Sequence, residues 1–303
     1  EKENLAGNKI CALKLLNNAL SLGCTFPQRN IAEAYQLRGI INFELGDFER
    51  SIDDINESIN LNPKDDKSFF YKGLTESFNS NQKDALNNFE KAIDLNPKEY
   101  FYFFSRGFSK YILNQHEEAI KDFDKAIELH PNESDYFFYM RAQSKQFLDQ
   151  DEEAIKDYDK AIELNPEESD YFYFRGNAKY LLDQYEEAII DFDKAIELNP
   201  KESNSFHKRG ESKIFQEKYK ESIKDFDKAI ELNPEESDYF FSRGYSKFSL
   251  GKYKESIIDF DKAIDLNPKE SRYFKVRGHS KFSLRKDEEA IKDYDKAIEL
   301  NPE

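Results

Sequence analysis

The chain has 303 residues, which is long enough for two ordinary domains or for one extended array. Charged residues make up 35% of it while there are only 9 Pro and 11 Gly, so its composition is not that of a disordered linker. The net charge of −16 argues against nucleic acid and against an anionic membrane surface as partners, because both attract clustered positive charge.

Residues 1–31 come first and have the pattern of half a repeat. Ala12, Leu16 and Ala19 recur with the spacing that the second helices of the later repeats show. We predict a partial repeat in 1–31, ending in a connection from Gly23 to Ile31 that is longer than the later ones. Because the first half of the unit is missing, we expect the chain to begin inside a repeat and to be a fragment of a longer protein.

Prolines recur at a fixed interval along the rest of the chain. Pro63, Pro97 and Pro131 lie 34 residues apart, and one step of 35 residues then leads to Pro166. The interval of 34 residues returns at Pro200, Pro234, Pro268 and Pro302. A fixed period of this length is typical of a solenoid. The predicted repeats are eight, 32–65, 66–99, 100–133, 134–168, 169–202, 203–236, 237–270 and 271–303, and they fill residues 32–303.

The repeat 100–133 shows the structure expected of each unit. Its first half predicts a helix over Tyr100–Leu113 and its second half a helix over His116–Leu129. The second helix has one apolar and one charged face, which is typical of a helix that packs on one side only. Pro131 ends it, because a proline disfavours helical backbone in the residue before it. Each unit is therefore predicted to be a helical hairpin.

The single 35-residue step falls in the repeat 134–168. The residues that follow Ser134 align without a gap with those that follow Ser169, which leaves the extra residue before Arg141. An extra residue inside a helix is usually absorbed as a π-bulge. We therefore predict a bulge or an irregular turn between Asp135 and Arg141.

A small residue recurs in the middle of each first helix. It is glycine in seven repeats out of eight, although glycine in a helix costs about 0.5–1 kcal/mol relative to alanine. We predict that the two helices of each hairpin approach closely there. The positions are Gly39, Gly73, Gly107, Ala142, Gly176, Gly210, Gly244 and Gly278.

Several spaced features carry a resemblance to a known family. In the repeat 100–133 they are Phe103, Gly107, Tyr111, Ala119, Phe123, Ala126 and Pro131. The pattern resembles the tetratricopeptide repeat (TPR), with Phe or Tyr for Trp and Arg for the Leu before the glycine. The resemblance implies an all-α fold, a right-handed superhelical solenoid of antiparallel helix pairs. It also implies a non-catalytic scaffold for protein–protein interaction.

Arginines recur before the small residues, and aspartates recur on the second helices. They are Arg106, Arg141, Arg175, Arg209, Arg243 and Arg277, with Asp122, Asp157, Asp191, Asp225, Asp259 and Asp293. One reading makes the arginines a positive stripe for an acidic ligand. The matched periodicity favours structural ion pairs instead, because buried charges need partners. Arg175 and Arg243 are then expected within salt-bridge reach of a second-helix aspartate.

The resemblance further implies a concave groove lined by the first helices. Its aromatic residues are expected to be Phe101, Phe104, Phe108, Tyr111, Tyr139, Tyr173, Tyr180, Phe241, Tyr245, Phe248 and Phe282. Some of these rings are expected to pack on a neighbouring repeat instead. We expect the groove to bind an apolar or mildly basic peptide or protein segment. Phe104 and Tyr139 are predicted to be exposed binding residues, and Phe123 to lie in the core.

Other functions find less support in the sequence. Binders of a chaperone's terminal carboxylate need an Asn where His279 stands after Lys275. The recurring polar residues follow the repeat and the glycines are not clustered, so we expect neither catalysis nor a cofactor. Two alternatives stay open, namely a nucleic-acid-binding helical repeat and self-association through uncapped ends.

Cysteine and histidine usage bears on location and on metal binding. Cys11 and Cys24 are too few for a disulfide-stabilised secreted domain, which favours a cytoplasmic location. The four histidines are scattered, so we predict no metal site. No apolar run approaches the roughly 18 residues that span a bilayer.

Overall fold

The computed structural model describes residues 2–21, 26–131 and 134–302. In these ranges it has seventeen α-helices and no β-strand. The first eight are α1 (Lys2–Ser21), α2 (Gln28–Glu44), α3 (Phe48–Leu61), α4 (Asp66–Phe78), α5 (Gln82–Leu95), α6 (Tyr100–Ile112), α7 (His116–Leu129) and α8 (Asp135–Gln146). The others are α9 (Asp151–Leu164), α10 (Ser169–Leu181), α11 (Tyr185–Leu198), α12 (Ser203–Phe215), α13 (Tyr219–Leu232), α14 (Ser237–Ser249), α15 (Tyr253–Leu266), α16 (Ser271–Ser283) and α17 (Asp287–Leu300). The predicted all-α architecture is confirmed.

The chain forms two compact units. Unit 1 comprises residues 1–150 and unit 2 comprises residues 151–303, so the boundary falls between α8 and α9. Within unit 1 the hairpins are α2 with α3, α4 with α5 and α6 with α7. Within unit 2 they are α10 with α11, α12 with α13, α14 with α15 and α16 with α17. Inside each unit a second helix also packs on the first helix of the following hairpin, for example α13 on α14.

Close approach of the paired helices explains the recurring glycine. A Cβ atom on Gly210 would lie 2.6 Å from Cε1 of Phe226, and one on Gly107 would lie 2.9 Å from Cε1 of Phe123. Both rings are fully buried, so they cannot move aside without loss of packing. The prediction of a tight hairpin at these glycines is confirmed.

Tyrosine hydroxyls join successive first helices in unit 2. Tyr239 on α14 donates to Oδ1 of Asn204 on α12 over 2.8 Å. Tyr273 on α16 donates to Oδ1 of Asp238 on α14 over 2.5 Å. Because both rings are buried, these hydrogen bonds satisfy hydroxyls that would otherwise lose their hydration, and they fix the register between repeats.

The extra residue of the 35-residue step does not lie inside a helix. α8 is a regular α-helix from its first residue, Asp135, so the predicted bulge before Arg141 is wrong. α8 begins four residues after Pro131, whereas the other first helices that follow a repeat proline begin three residues after it. The extra residue belongs to the connection, whose residues 132–133 lie outside the described ranges. A loop accepts an insertion more easily because no helical hydrogen bond breaks and no buried face rotates.

α1 makes the contacts of a second helix. Arg38 on α2 donates to Asp54 of its own hairpin at 2.9 and 2.5 Å, and to Oδ1 of Asn17 on α1 at 2.7 Å. Arginines further along the chain bridge two second helices in the same way. This likeness is the structural support for the predicted partial repeat in 1–31.

Candidate functional site

Four of the recurring arginines each contact aspartates of two second helices, namely Arg175, Arg209, Arg243 and Arg277. Arg175 donates to Asp191 of its own hairpin at 3.0 and 2.5 Å, and to Asp159 on α9 at 2.6 Å. Lys179 also contacts Asp191, at 2.7 Å. The equivalent pairs within one hairpin are Arg106–Asp122, Arg209–Asp225, Arg243–Asp259 and Arg277–Asp293. Since these cations already have carboxylate partners, they do not form an open positive stripe.

The surroundings of Arg175, Arg209, Arg243 and Arg277 favour the charged form. Burial alone would lower the pKa of Arg175, but hydrogen bonds and charges from Asp191 and Asp159 outweigh it and raise the pKa. The guanidinium also lies over the ring of Phe172, 5.6 Å from its centroid. The arginine is therefore a fixed part of the packing between hairpins.

Phe104 does not line a groove, and the expectation that it does is wrong. Only 8% of it is exposed. Its ring stacks on Phe137 with centroids 4.6 Å apart, and it lies 5.6 Å from Phe123 of the second helix. The following first helix covers it, which places Phe104 in the core together with Phe123.

Unit 1 exposes other aromatic rings on its first helices. Phe101 is 41% exposed and packs edge-on against Phe70, with centroids 5.8 Å apart. Three predicted groove residues are partly buried, namely Phe108, Tyr111 and Tyr139. Tyr136, which sequence reasoning missed, is exposed and stacks on Tyr139 at 5.7 Å. Phe101 on α6 and Tyr136 on α8 therefore have ring surface that is accessible to a partner.

Sequence reasoning also missed a row of apolar side chains at the ends of the first helices. Each is the fifth residue after the recurring small residue, and the exposed members are Phe78, Ile112, Phe147, Leu181 and Phe215. In unit 1, Phe147 stacks on His116 at 4.5 Å. In unit 2, Phe215 stacks on Tyr185 at 4.6 Å. Their occurrence in five consecutive repeats is the signal that could have found them.

In unit 2 the first helices α10, α12, α14 and α16 line a cavity of about 210 Å³. Its walls are Tyr180, Glu211, Ile214, Phe215, Phe241, Ser242, Tyr245 and Val276. The cavity thus brings together three predicted groove residues, Tyr180, Phe241 and Tyr245, with the missed Phe215. The remaining predicted residues of this unit lie elsewhere: Tyr173 packs on Phe192, Phe248 packs on Tyr253, and Phe282 is exposed.

Carboxylates give the surroundings of this cavity a negative field. Burial raises the pKa of Tyr173, and the charges of Glu202 and Glu211 contribute to bringing it to about 12. Burial together with Glu168 and Glu202 raises the pKa of Asp170, because neighbouring negative charges disfavour ionisation. A ligand therefore meets ring surface, hydroxyl groups and a negative potential here.

Among the described residues, no three His, Cys, Asp or Glu side chains are grouped so that they could hold a metal ion. None of the described helices combines the length and the apolar character needed to cross a membrane. Cys11 is an exposed free thiol, and Cys24 lies outside the described residues.

Family models agree with the repeated hairpins. Models of the tetratricopeptide repeat match residues 32–65, 102–133, 136–168, 169–202, 207–271 and 276–303, which is more than half of the chain. The chain belongs to the tetratricopeptide-repeat family. The resemblance carried by Phe103, Gly107, Ala119 and Phe123 is thereby confirmed. Comparison of this TPR chain with curated protein sequences gave no match.

Solved structures with the same fold are TPR proteins. A tetratricopeptide-repeat protein from Parabacteroides merdae superposes with a TM-score of 0.61 at 22% identity, covering 78% of this chain and 93% of that one. The C-terminal part of a TPR protein from Cytophaga hutchinsonii gives 0.64 at 18% identity, covering 77% and 95%. YrrB, described as a TPR protein with an unusual peptide-binding site, gives 0.54 at 22% identity, covering 59% and 92%. At these identities the likeness concerns the fold.

Proposed function

We propose that this TPR protein is a non-catalytic scaffold that binds a peptide or protein segment on the aromatic surface of its first helices. In unit 2 the binding site is the cavity lined by Tyr180, Phe215, Phe241 and Tyr245. The partner is an apolar or aromatic segment, with basic residues favoured by the negative field. The cytoplasmic location inferred from the low cysteine content is part of the same proposal.

The exposed rings are the observation that carries this proposal. Phe215 is 57% exposed and Tyr245 is 38% exposed, although the hairpin cores already have their own buried rings, such as Phe226 and Phe260. Apolar patches beyond a few hundred Å² are uncommon on proteins without partners. Rings at the centre of an interface supply most of its binding energy. YrrB, which has the same fold, is described as having a peptide-binding site, and this supports the proposal.

Charge speaks against the nucleic-acid alternative. The net charge is −16, and the recurring arginines are engaged by aspartates. Phosphate binding needs free Lys and Arg side chains, and its affinity falls steeply with salt. Self-association through the ends stays a separate prediction, which light scattering at two protein concentrations tests.

Selection from a phage-displayed library of random peptides tests the proposed function. We expect the intact chain to select peptides that bind in solution. The double variant Phe215→Ala/Tyr245→Ala should bind these peptides with an affinity that is lower by about thirtyfold or more. The matched control is Ile190→Ala/Ile258→Ala, which removes side chains 66% and 68% exposed on the second helices α11 and α15. Equal affinity for both double variants would refute binding in the cavity.

A further inference from the structure

Glu211 is an exception to the repeat at the position it occupies. It directly follows the recurring small residue, and no other repeat has an acid there: the other residues are Ile40, Leu74, Phe108, Gln143, Asn177, Tyr245 and His279. Of the described side chains that line the unit 2 cavity, Glu211 carries the one carboxylate. A scaffold role common to all repeats therefore does not account for it.

Two neighbours on α12 contact the Glu211 carboxylate. The Lys208 ammonium lies 2.9 Å from Oε2, and both side chains are partly exposed. Nε2 of His207 lies 3.8 Å from Oε1 and 3.1 Å from the hydroxyl of Ser242. Burial lowers the pKa of His207, so its ring is neutral at pH 7. Among the described residues, Lys208 is thus the cation that forms an ion pair with Glu211.

Rings of the same cavity already bind cations that belong to the chain. The Lys208 ammonium lies 4.9 Å from the centroid of Tyr180. The Arg272 guanidinium lies 4.9 Å from the centroid of Phe241, and Asp238 holds it at 2.5 Å. The negative face of an aromatic ring attracts a cation, most strongly where water is partly excluded. A carboxylate beside several rings is the arrangement that recognises an alkylammonium or guanidinium group.

We propose that the unit 2 cavity is a binding site for a Lys or Arg side chain of the bound segment, with Glu211 as its counter-charge. In the free protein Lys208 occupies part of this site, and the ligand's cation displaces it. This inference rests on the proposed peptide-binding function and adds the chemical class that the cavity selects. The negative field from Glu202 and Asp170 acts in the same direction, since it favours a cation over a neutral or anionic side chain.

Charge complementarity predicts opposite changes in ligand affinity for substitutions of Glu211 and of its ion-pair partner Lys208. Glu211→Gln removes the counter-charge but keeps the shape and hydrogen-bonding capacity of the side chain. Lys208→Met removes the internal competitor but keeps an unbranched apolar chain against Tyr180. If Lys208 were only packing on the ring, its removal would weaken ligand binding or leave it unchanged.

The test uses peptides selected from a random phage library by the intact chain. We expect the selected sequences to be enriched in Lys or Arg. For one such peptide and its Lys→norleucine analogue, affinities are measured against wild type, Glu211→Gln, Lys208→Met and the control Glu221→Gln, an exposed acid on α13. We expect Glu211→Gln to weaken the Lys peptide about three- to thirtyfold and to leave the norleucine peptide unchanged. Lys208→Met should strengthen the Lys peptide, and Glu221→Gln should change neither.

The outcomes separate this inference from the proposed function. Peptides that require Phe215 and Tyr245 but bind equally well with norleucine would overturn the cation site and leave the scaffold function standing. Equal loss of both peptides in Glu211→Gln would also overturn it, because the carboxylate would then act through the fold. If selection returns no binding peptide at all, both the proposed function and the cation site fail.

Discussion

Phe101 and Phe104 are phenylalanines one helical turn apart on α6, and their surroundings differ. The first five residues of α6 are all aromatic, so the local sequence does not show which of these rings are buried. The following first helix, α8, covers Phe104 with Phe137 and leaves Phe101 open. Which of two equivalent rings is covered depends on the crossing of two helices, and no local pattern encodes that crossing.

Truncation should separate the two phenylalanines. We expect Phe104→Ala to lower the free energy of unfolding by about 3–5 kcal/mol, as for a core phenylalanine, because it leaves a cavity beside the rings of Phe123 and Phe137. Phe101→Ala removes an exposed ring and should cost about 1 kcal/mol or less. Urea denaturation followed by circular dichroism measures both. Similar losses for the two variants would mean that Phe101 is also enclosed.

His207 stands where Phe104, Tyr139, Tyr173 and Phe241 stand in other repeats, and it gives one repeat a pH-sensitive core. Burial lowers its pKa, although Glu211 on its own helix and Asp238 and Glu236 near α14 favour the charged form, while Lys208 opposes it. The uncharged groups packed on the ring are Phe226, Tyr239 and Ser242.

The sign of the pH effect follows from this lowered pKa. Between the folded pKa and the unfolded value of about 6.5, the unfolded chain binds more protons at His207. The contribution of His207 to stability is therefore present above about pH 6.5 and is lost as the pH falls below it. We expect the unfolding free energy of wild type to fall more between pH 7.5 and pH 5.5 than that of His207→Phe. A parallel pH dependence of the two proteins would show that His207 is not the titrating group.

Among the elements of unit 2, the arginine pairs link each hairpin to the second helix before it. In unit 2, Arg243 on α14 bridges Asp227 on α13 and Asp259 on α15, at 2.7 and 2.6 Å. Asp259 is only 2% exposed, so its charge has little access to water and depends on Arg243 and Lys247. The matched periods of Arg and Asp made this arrangement predictable from the sequence, since each buried charge needs a partner at a fixed distance.

Arg243→Ala should therefore destabilise the chain by about 3 kcal/mol, because it leaves a buried carboxylate with one cation fewer. Adding Asp259→Ala should cost little more, since the stranded charge is then gone. The control is Lys228→Ala, which breaks an exposed pair with Glu231 and should cost less than about 0.5 kcal/mol. Thermal denaturation of wild type, Lys228→Ala, the single variants Arg243→Ala and Asp259→Ala, and their double variant measures these differences. Additive losses in the double variant would contradict a coupled buried pair.

The helices and their hairpins could be predicted from the sequence because their signals repeat. Pro131, Gly107 and the apolar face of α7 each mark a boundary or a contact, and the same marks recur every 34 residues. The position of the extra residue near Pro131 could not be predicted the same way. The alignment of the residues after Ser134 with those after Ser169 compares side-chain identities only. The first residue of α8 depends instead on where the backbone turns into the helix.

For the molecule as a whole, only part of the proposed binding surface could be predicted from the sequence. The family resemblance pointed to Tyr180, Phe241 and Tyr245, which share the unit 2 cavity. Phe215 was missed because it is not at one of the positions that the family resemblance assigns to the groove, and Glu211 was missed because only aromatic residues were expected there. Glu211 departs from the repeat pattern. Because the packing of the hairpins does not require such a residue, it can serve the recognition of one particular ligand.

Binding on the first helices of unit 2 is tested most directly by isoleucine methyl NMR spectra of the chain with a selected peptide. Ile214 lies in the cavity, whereas Ile190 and Ile258 lie on the exposed sides of second helices. We expect saturating peptide to shift the δ1 methyl resonance of Ile214 and to give intermolecular contacts to it, with Ile190 and Ile258 unchanged. Shifts confined to Ile190 and Ile258, with Ile214 unaffected, would contradict a binding site on the first helices.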